Sequence, residues 1–270
     1  FLGVFIADQT EHCPARDFTG RVALSSPPLP PRRPAPGTIC IASSYVGSEY
    51  QSRWMRRTLP VRMAYAARHG HTVLVTTEAQ GGPNSVYDAL IWTRRLLRIC
   101  DVVFKMDADA IFTANATSLG AMLASADPSG SADLVITQDE KRSEVQYMHG
   151  LLNLGNYFVR STPCATSVLD AVLAAMIEHP ASTSYWCTAP ASPFVDGGDQ
   201  CAFTAVVNEA GLGRDIGGVV RYVNHRHFNS MVPDRTFTCR HPVLHYPGCR
   251  NDACAARLLR LCPLTAIQTL

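Results

Sequence analysis

The sequence lacks any continuous apolar segment of the roughly 18 residues that a membrane-spanning helix needs, so it carries no predicted membrane span. It also lacks a strong charge of either sign, because 24 basic and 22 acidic residues leave a formal net charge of only +2. A general nucleic-acid binder concentrates positive charge, so no nucleic-acid partner is expected. Basic residues are dense at 53–68 and 94–98, where helical spacing makes solvated helix faces the explanation of most of them.

No pair of cysteines has the Cys-x2-Cys spacing that is typical of zinc sites, although the chain contains 10 cysteines. Four of them, Cys239, Cys249, Cys254 and Cys262, lie close together near the end of the sequence. Disulfides in short loops are therefore expected there rather than zinc, and they imply an oxidising lumen or the extracellular space. The glycosylation sequon at Asn115 is compatible with that environment.

The first part of the sequence differs in composition from the rest. Prolines are dense at 26–36, a pattern that favours extended polyproline II and does not build a packed core. Residues 1–36 are therefore predicted to be a stem or linker, and residues 37–270 one folded domain. Because the chain starts at Phe1 rather than Met, any membrane attachment is expected only through an N-terminal anchor outside this sequence.

Strand-like and helix-like segments alternate at the start of the predicted domain. Residues 38–44 and 71–77 are short and apolar, as buried strands are, whereas 49–69 and 85–99 have apolar residues at helical spacing. Pro60 predicts a break or kink in the first of these helices. With the strand that follows, the order is βαβαβ, which favours a largely parallel sheet.

The strand that completes this pattern contains two acids. The apolar run from Val102 to Phe112 includes Asp107 and Asp109, which an extended strand places on one face. Adjacent carboxylates repel one another and are costly to desolvate, so a bound divalent cation is the simplest account of both staying ionised. Oxygen ligands suit Mg²⁺ or Mn²⁺. A surface turn with no function is the alternative, which the flanking apolar residues disfavour.

Later in the chain, a predicted strand at 150–160 is interrupted by Gly155. Glycine inside a strand often marks the close approach of a ligand or of another backbone, and a β-bulge is the other interpretation. An amphipathic helix is predicted at 162–179.

Polar residues at the ends of predicted elements have two interpretations each. Ser43 and Ser44 end the first strand, where small hydroxyl residues suit a nucleotide-binding crevice and suit a plain turn equally. Asp199 and Gln200 precede a helix predicted at 201–210, where an acid is usually a cap.

Six segments of the sequence occur in the order in which one known family has them. They are YAARHGH at 65–71, WTR at 92–94, MDADAI at 106–111, LNLGNYFVR at 152–160, GDQ at 198–200 and HYPGC at 245–249. Over about residues 38–254 the chain resembles the retaining GT-A glycosyltransferases that include the plant xyloglucan xylosyltransferases and the fungal α-galactosyl and α-mannosyl transferases. The resemblance implies a single α/β domain with a GT-A (Rossmann-like), mostly parallel sheet flanked by helices.

The resemblance also implies an activity and a set of site residues. A sugar would pass from a nucleotide-sugar donor (UDP-xylose, UDP-galactose or GDP-mannose) to a glycan hydroxyl, with retention of anomeric configuration. It assigns Mn²⁺, or Mg²⁺, to Asp107, Asp109 and His245, which hold it against the donor diphosphate. The remaining implied residues are Asp199 and Gln200 as catalytic residues, and Ser43, Ser44, Arg94, Asp107, Asn153, Gly155 and Gly248 as substrate-binding residues.

The sequence departs from the family pattern at three positions. Arg94 stands where the family typically has lysine, and it would pair with phosphate as a planar donor. Gly198 replaces an acid, and Pro247 is unusual in the histidine loop. A haloacid-dehalogenase-type phosphatase and a non-catalytic glycan-binding module are the alternative functions. The family's setting implies the Golgi lumen or secretory pathway, a type II membrane protein at full length, and either a homo- or a hetero-oligomer.

Overall fold

The computed structural model describes residues 34, 37–47, 49–82, 85–113, 116–138, 152–178, 199–209, 219–231 and 239–246. The predicted stem at 1–36 lies almost entirely outside these residues, so the predicted domain boundary stays a prediction. None of the helices within the described ranges combines the length and the apolar character that crossing a bilayer demands.

The described residues contain nine strands and five α-helices. The strands are β1 (Ile39–Ser44), β2 (Thr72–Thr76), β3 (Val102–Met106), β4 (Ala110–Phe112), β5 (Leu134–Gln138), β6 (Leu152–Arg160), β7 (Val220–Asn224), β8 (Ser230–Met231) and β9 (Val243–His245). The helices are α1 (Glu49–His69), α2 (Ser85–Leu96), α3 (Leu119–Ala126), α4 (Pro163–Glu178) and α5 (Asp199–Glu209).

Six strands form the main sheet in the order β2-β1-β3-β6-β5-β7. β1 pairs in parallel with both β2 and β3, and β5 pairs in parallel with β7. β6 runs antiparallel to its neighbours β3 and β5, so among the described strands of this sheet it is the reversed one. The predicted βαβαβ start and the mostly parallel sheet are therefore confirmed.

Alternate residues of β1 face two separate hydrophobic cores, which shows that helices cover both faces of the sheet. Cys40 and Ala42 pack in the core that includes α2, α4 and α5. Ile39 and Ile41 pack in the core that includes α1, α3, β4 and β9. The two-residue period of a strand thus produces a three-layer arrangement from one apolar run.

One local prediction is wrong and another is settled only in part. Of the break or kink predicted at Pro60, the break is absent, because α1 continues through this exposed proline, and the kink stays a prediction. Asp107 and Asp109 do not lie on one face of a strand, because β3 ends at Met106 and the acids occupy the turn before β4.

A second sheet of three strands, in the order β4-β9-β8, lies at this turn. β9 pairs antiparallel with β4 so that His245 is opposite Ala110. The small sheet therefore delivers a residue from late in the chain to the position next to the two acids.

Candidate active site

The two acids are held in place by backbone hydrogen bonds of the turn between β3 and β4. The amide of Asp107 donates to the carbonyl oxygen of Gly155 at 2.8 Å, which continues the pairing of β3 with β6. The amide of Ala110 donates to the carbonyl oxygen of Asp107 at 3.1 Å and closes the turn. A short turn with both ends paired presents its two carboxylates side by side.

His245 meets both acids. The amide of the next residue, Tyr246, donates to the carbonyl oxygen of Asp109 at 3.1 Å, which fixes β9 against the turn. His245 Nε2 then lies 3.4 Å from Asp107 Oδ2 and 3.3 Å from Asp109 Oδ1. The ligand atoms of the three residues lie within 4.8 Å of one another, so they can serve one metal ion.

Gly155 allows the imidazole of His245 to occupy this position. A Cβ atom built on Gly155 would lie 2.3 Å from His245 Cε1 and 2.5 Å from Nδ1. Gly155 also lies where the pairing of β5 with β6 shifts register, between Ile136 and Thr137 of β5. The structure therefore shows the bulge that was one interpretation of this glycine and also a close approach by the side chain of His245, whereas the predicted contact of Gly155 with substrate stays a prediction.

Lys105 is a site residue that the sequence analysis did not identify. It is buried in β3, and its Nζ donates to Asp107 Oδ1 and, at 2.6 Å, to the carbonyl oxygen of Leu154. The same ammonium lies 5.6 Å from the centre of the Tyr157 ring. One oxygen of Asp107 therefore faces Lys105 while the other faces His245. The signal in the sequence that could have identified Lys105 is that it is a single charged residue within an apolar strand.

The acids and the histidine perturb one another's pKa values. Burial raises the pKa of Asp107, but Lys105 and His245 outweigh burial and lower it to about 2. Burial lowers the pKa of His245, but Asp109 and Asp107 outweigh burial and raise it to about 9. The site thus strongly favours an ionised Asp107 next to a positive group, which is the environment that a bound cation also provides.

Asp199 is the first residue of α5 and lies near the same charges. Burial raises the pKa of its carboxyl to about 6, with a further increase from Asp107 and an opposing effect from Lys105. Its negative charge also contributes to the raised pKa of Tyr157. Asp199 therefore shares an electrostatic environment with Lys105 and Asp107, while the backbone amides of Asp199 and Gln200 also hydrogen-bond to its carboxyl, as in a helix cap. Its catalytic role stays a prediction.

Asn153 belongs to a buried polar network beneath the site. Its Oδ1 accepts from the amide of Gly155 at 2.9 Å and from Asn229 Nδ2 at 2.5 Å. Asn229 also donates to Thr137 Oγ1 at 2.8 Å and accepts from Asn156 Nδ2 at 2.7 Å. All four side chains are almost fully buried, so the network fixes the orientation of Asn153 and of the β6 bulge.

Ser43, at the end of β1, is buried and turned toward the acidic turn. Its Oγ donates to the carbonyl oxygen of Met106 at 2.8 Å and accepts from Arg62 Nη1. Ser44 Oγ is buried without a hydrogen-bond partner in the described structure. The substrate-binding role predicted for both serines stays a prediction.

Two predicted site residues are not placed with this group. Arg94 forms a two-pronged ion pair with Asp170 of α4, with Nε to Oδ1 at 2.8 Å and Nη2 to Oδ2 at 2.9 Å. Its predicted contact with phosphate stays a prediction, and the ion pair offers a structural role instead. Gly248 lies outside the described residues. Gln200 is in the first turn of α5, next to Asp199.

The donor atoms of the triad fit a divalent cation. Two carboxylates and one imidazole suit Mn²⁺ or Mg²⁺ and leave coordination positions for water or phosphate oxygens. The imidazole uses Nε2 toward the acids, and Nδ1 has no hydrogen-bond partner within the described ranges.

Cysteine pairing differs in part from the sequence expectation. Cys239, one of the four clustered cysteines, is in a disulfide, as expected. A buried disulfide between Cys40 and Cys100, which join the start of β1 to the segment after α2, was not predicted.

Comparison with known proteins places this site within a family match. The sequence model of a family described as nucleotide-diphospho-sugar transferase matches residues 93–252, which include the triad, Asn153 and Asp199. A glycosyltransferase involved in the glycosylation of the major capsid of PBCV-1 has a similar structure, with a TM-score of 0.59 at 13% identity over 83% of this chain and 99% of that one. The structure of mouse xyloside xylosyltransferase 1, apo form, has a TM-score of 0.46 at 10% identity, over 79% of this chain and 99% of that one. No curated protein matches the sequence significantly.

Proposed function

Because the chain belongs to the nucleotide-diphospho-sugar transferase family, we propose that it is a metal-dependent, retaining glycosyltransferase acting on a glycan hydroxyl. That it is a glycosyltransferase with a GT-A fold follows from the family match and from the fold it shares with the PBCV-1 enzyme. The phosphatase and the non-catalytic binding module are therefore set aside. UDP-xylose, UDP-galactose and GDP-mannose are the proposed donors.

The observation that carries the metal dependence is the convergence of Asp107, Asp109 and His245 on one position. These residues would hold Mn²⁺, or Mg²⁺, at the donor diphosphate. The ion, when bound, neutralises the negative charge that develops on the departing diphosphate. Lys105 Nζ donates to Oδ1 of Asp107, so Oδ2, which faces His245, is the oxygen of Asp107 that would serve as the metal ligand.

The proposed reaction exchanges one bond at the anomeric carbon for another. The bond from that carbon to the diphosphate oxygen breaks, and the acceptor oxygen bonds on the same face while its proton passes to the departing diphosphate. Asp199 supports this route because a carboxylate near Lys105 and Asp107, with a pKa of about 6, is largely ionised at neutral pH. Its negative charge would stabilise positive charge on the sugar ring.

The donor sugar is proposed to contact Asn153, Gly155 and Gln200, and the nucleotide to lie toward Ser44. The buried disulfide between Cys40 and Cys100 supports the proposal that the protein works in the Golgi lumen or elsewhere in the secretory pathway, since disulfides persist in oxidising compartments.

A matched pair of substitutions at the two ends of β3 tests this function. Asp109→Asn removes a proposed metal ligand, whereas Asp101→Asn makes the same chemical change at an exposed acid at the opposite end of the strand. Initial rates of nucleotide-sugar hydrolysis and transfer are measured over a Mn²⁺ titration with UDP- and GDP-sugars. We expect Asp109→Asn to lose about 100-fold or more in rate and Asp101→Asn to stay within about twofold.

Two results would count against the proposal. Equal rates in Asp109→Asn and the unmodified protein would overturn the metal site. A product with inverted anomeric configuration, detected by proton NMR, would overturn retention alone.

A further inference from the structure

Arg62 is a buried cation that the reaction described above does not use. It lies in α1 with 0% of its surface exposed, although it belongs to the basic segment 53–68 that was expected to be mostly solvated. Its neighbours Thr58 and Ala66, four residues away on either side, are also buried. Arg62 is therefore on the inward face of the helix.

The guanidinium of Arg62 binds the acidic turn through its backbone. Its Nη2 donates to three carbonyl oxygens of that turn, those of Asp107, of Ala108 at 3.3 Å and of Ala110 at 2.8 Å. Its Nη1 donates to Ser43 Oγ and, at 2.6 Å, to Tyr45 OH. One planar group thus joins α1, the end of β1 and the turn between β3 and β4.

A buried charge is costly unless it is well paired, and within the described ranges Arg62 has no hydrogen bond to a carboxylate. Its hydrogen bonds go to uncharged oxygen atoms instead. Three of the five acceptors of Arg62 are backbone carbonyl oxygens of a four-residue segment. The side chains of Asp107 and Asp109 in that segment reach His245 Nε2. Arg62 therefore binds the backbone carbonyls of this turn, and His245 faces the two side-chain carboxylates of the same turn.

We propose that Arg62 is a positioning residue for the metal site. Its hydrogen bonds to three carbonyl oxygens hold the turn in the conformation in which both carboxylates lie next to His245. This inference rests on the proposed function insofar as that function requires a divalent cation at the triad. It adds a residue that touches neither the metal nor the donor.

The competing role of Arg62 is purely electrostatic, and the two roles predict opposite results. A positive charge next to the site repels Mn²⁺, so its removal alone would strengthen Mn²⁺ binding. Loss of the planar set of hydrogen bonds would weaken Mn²⁺ binding, because the groups of a binding site must be held to within about 0.5 Å. Arg62→Met removes both the positive charge and the planar set of hydrogen-bond donors. Arg62→Lys keeps the charge, but an ammonium lacks the planar fork that reaches five acceptors.

The test measures the affinity of the full chain for Mn²⁺ alone by isothermal titration calorimetry. Thr58→Val is the matched control, because Thr58 Oγ1 also contacts the carbonyl oxygen of Ala108, at 3.0 Å, from one helical turn earlier. We expect both Arg62 variants to bind Mn²⁺ at least about 10-fold more weakly, as is usual when a group that orients metal ligands is lost. We expect Thr58→Val to stay within about twofold, even where its melting temperature falls.

Each other outcome decides against the inference. Unchanged or tighter Mn²⁺ binding by Arg62→Met and Arg62→Lys, with normal binding by the unmodified protein, would overturn the positioning role and leave the proposed function intact. If neither Arg62 variant folds while Thr58→Val does, Arg62 is a structural residue and the inference is wrong. Failure of the unmodified protein to bind Mn²⁺ would overturn the proposed metal site and this inference together.

Discussion

Substituting alanine for Gly155 is the smallest change that should displace a proposed metal ligand. The added methyl group would lie 2.3 Å from His245 Cε1, whereas ordinary van der Waals contact begins at 3.4 Å. The imidazole must therefore retreat by about 1 Å, because the other neighbour of the methyl is Asn153, whose Oδ1 is held by two hydrogen bonds. The backbone of Gly155 does not need a positive φ, so the effect would be steric and not conformational.

The size of the effect follows from the tolerances of packing and of metal binding. Overfilling a packed site costs about 1–3 kcal/mol of folding free energy. A 1 Å displacement of His245 Nε2, which now lies 3.3 Å from Asp109 Oδ1, is about twice the roughly 0.5 Å within which the groups of a binding site must be held. We expect the affinity for Mn²⁺ to fall by about 10- to 100-fold and the rate of sugar transfer by about 100-fold.

The assay compares Gly155→Ala with Gly120→Ala by Mn²⁺ calorimetry, urea unfolding and initial rates. Gly120 is exposed in α3, and its added Cβ would meet nothing closer than 4.0 Å, so this control should gain stability of up to about 1 kcal/mol. Normal Mn²⁺ affinity in a folded Gly155→Ala protein would refute the reasoning, since it would mean that His245 need not stay where the glycine allows it to lie.

Two further predictions concern stability. Replacing Cys40 and Cys100 with alanine should lower the free energy of unfolding by about 4 kcal/mol, the chain-entropy value for a link across 60 residues, and a loss below about 1 kcal/mol in urea unfolding would contradict it. Burial raises the pKa of Asp127, but Ser129, a backbone amide and Arg160 outweigh burial and hold this pKa below its usual 3.8. Because the folded-state pKa is the lower one, the carboxylate stabilises the fold fully above pH 3.8, and this contribution is lost as the pH falls through the folded-state value. Asp127→Asn should therefore be less stable by about 1–3 kcal/mol at pH 7, with the deficit shrinking in acid, and a deficit independent of pH would show that the charge is not its cause.

Much of the fold was predictable from the sequence because its elements have local signals. The apolar runs of β1 and β3 and the helical spacing of α1 and α2 each lie within about 20 residues, where periodicity is read directly. Gly155 was identified because a glycine in a strand is itself a local irregularity. His245 was identified only through the family resemblance, since nothing near it in the sequence marks a ligand.

The parts that were missed depend on contacts between distant residues. Arg62 contacts the carbonyl of Asp107 from 45 residues away, and Lys105 contacts that of Leu154 from 49 residues away. Asn229 reaches Thr137 across 92 residues. Composition and periodicity show whether such a side chain is polar, but they do not show which hydrogen-bond partner it meets in the folded protein. The basic residues of α1 were therefore predicted to be solvent-exposed, whereas the fold buries Arg62.

Two strand pairings create the proposed metal site, and neither is sufficient alone. The pairing of β3 with β6 places Gly155 against Asp107, through the hydrogen bond from the Asp107 amide. The pairing of β4 with β9 places His245 opposite Ala110, and thus beside both acids. Because side chains alternate along a strand, a slip of one residue in β9 would turn His245 away and present Leu244 in its place. Leu244 and His245 are both buried, so the slip would be costly because it would leave the imidazole buried without its acids and place an apolar side chain against the two carboxylates. The register that packs the small sheet is therefore the same register that assembles the ligands.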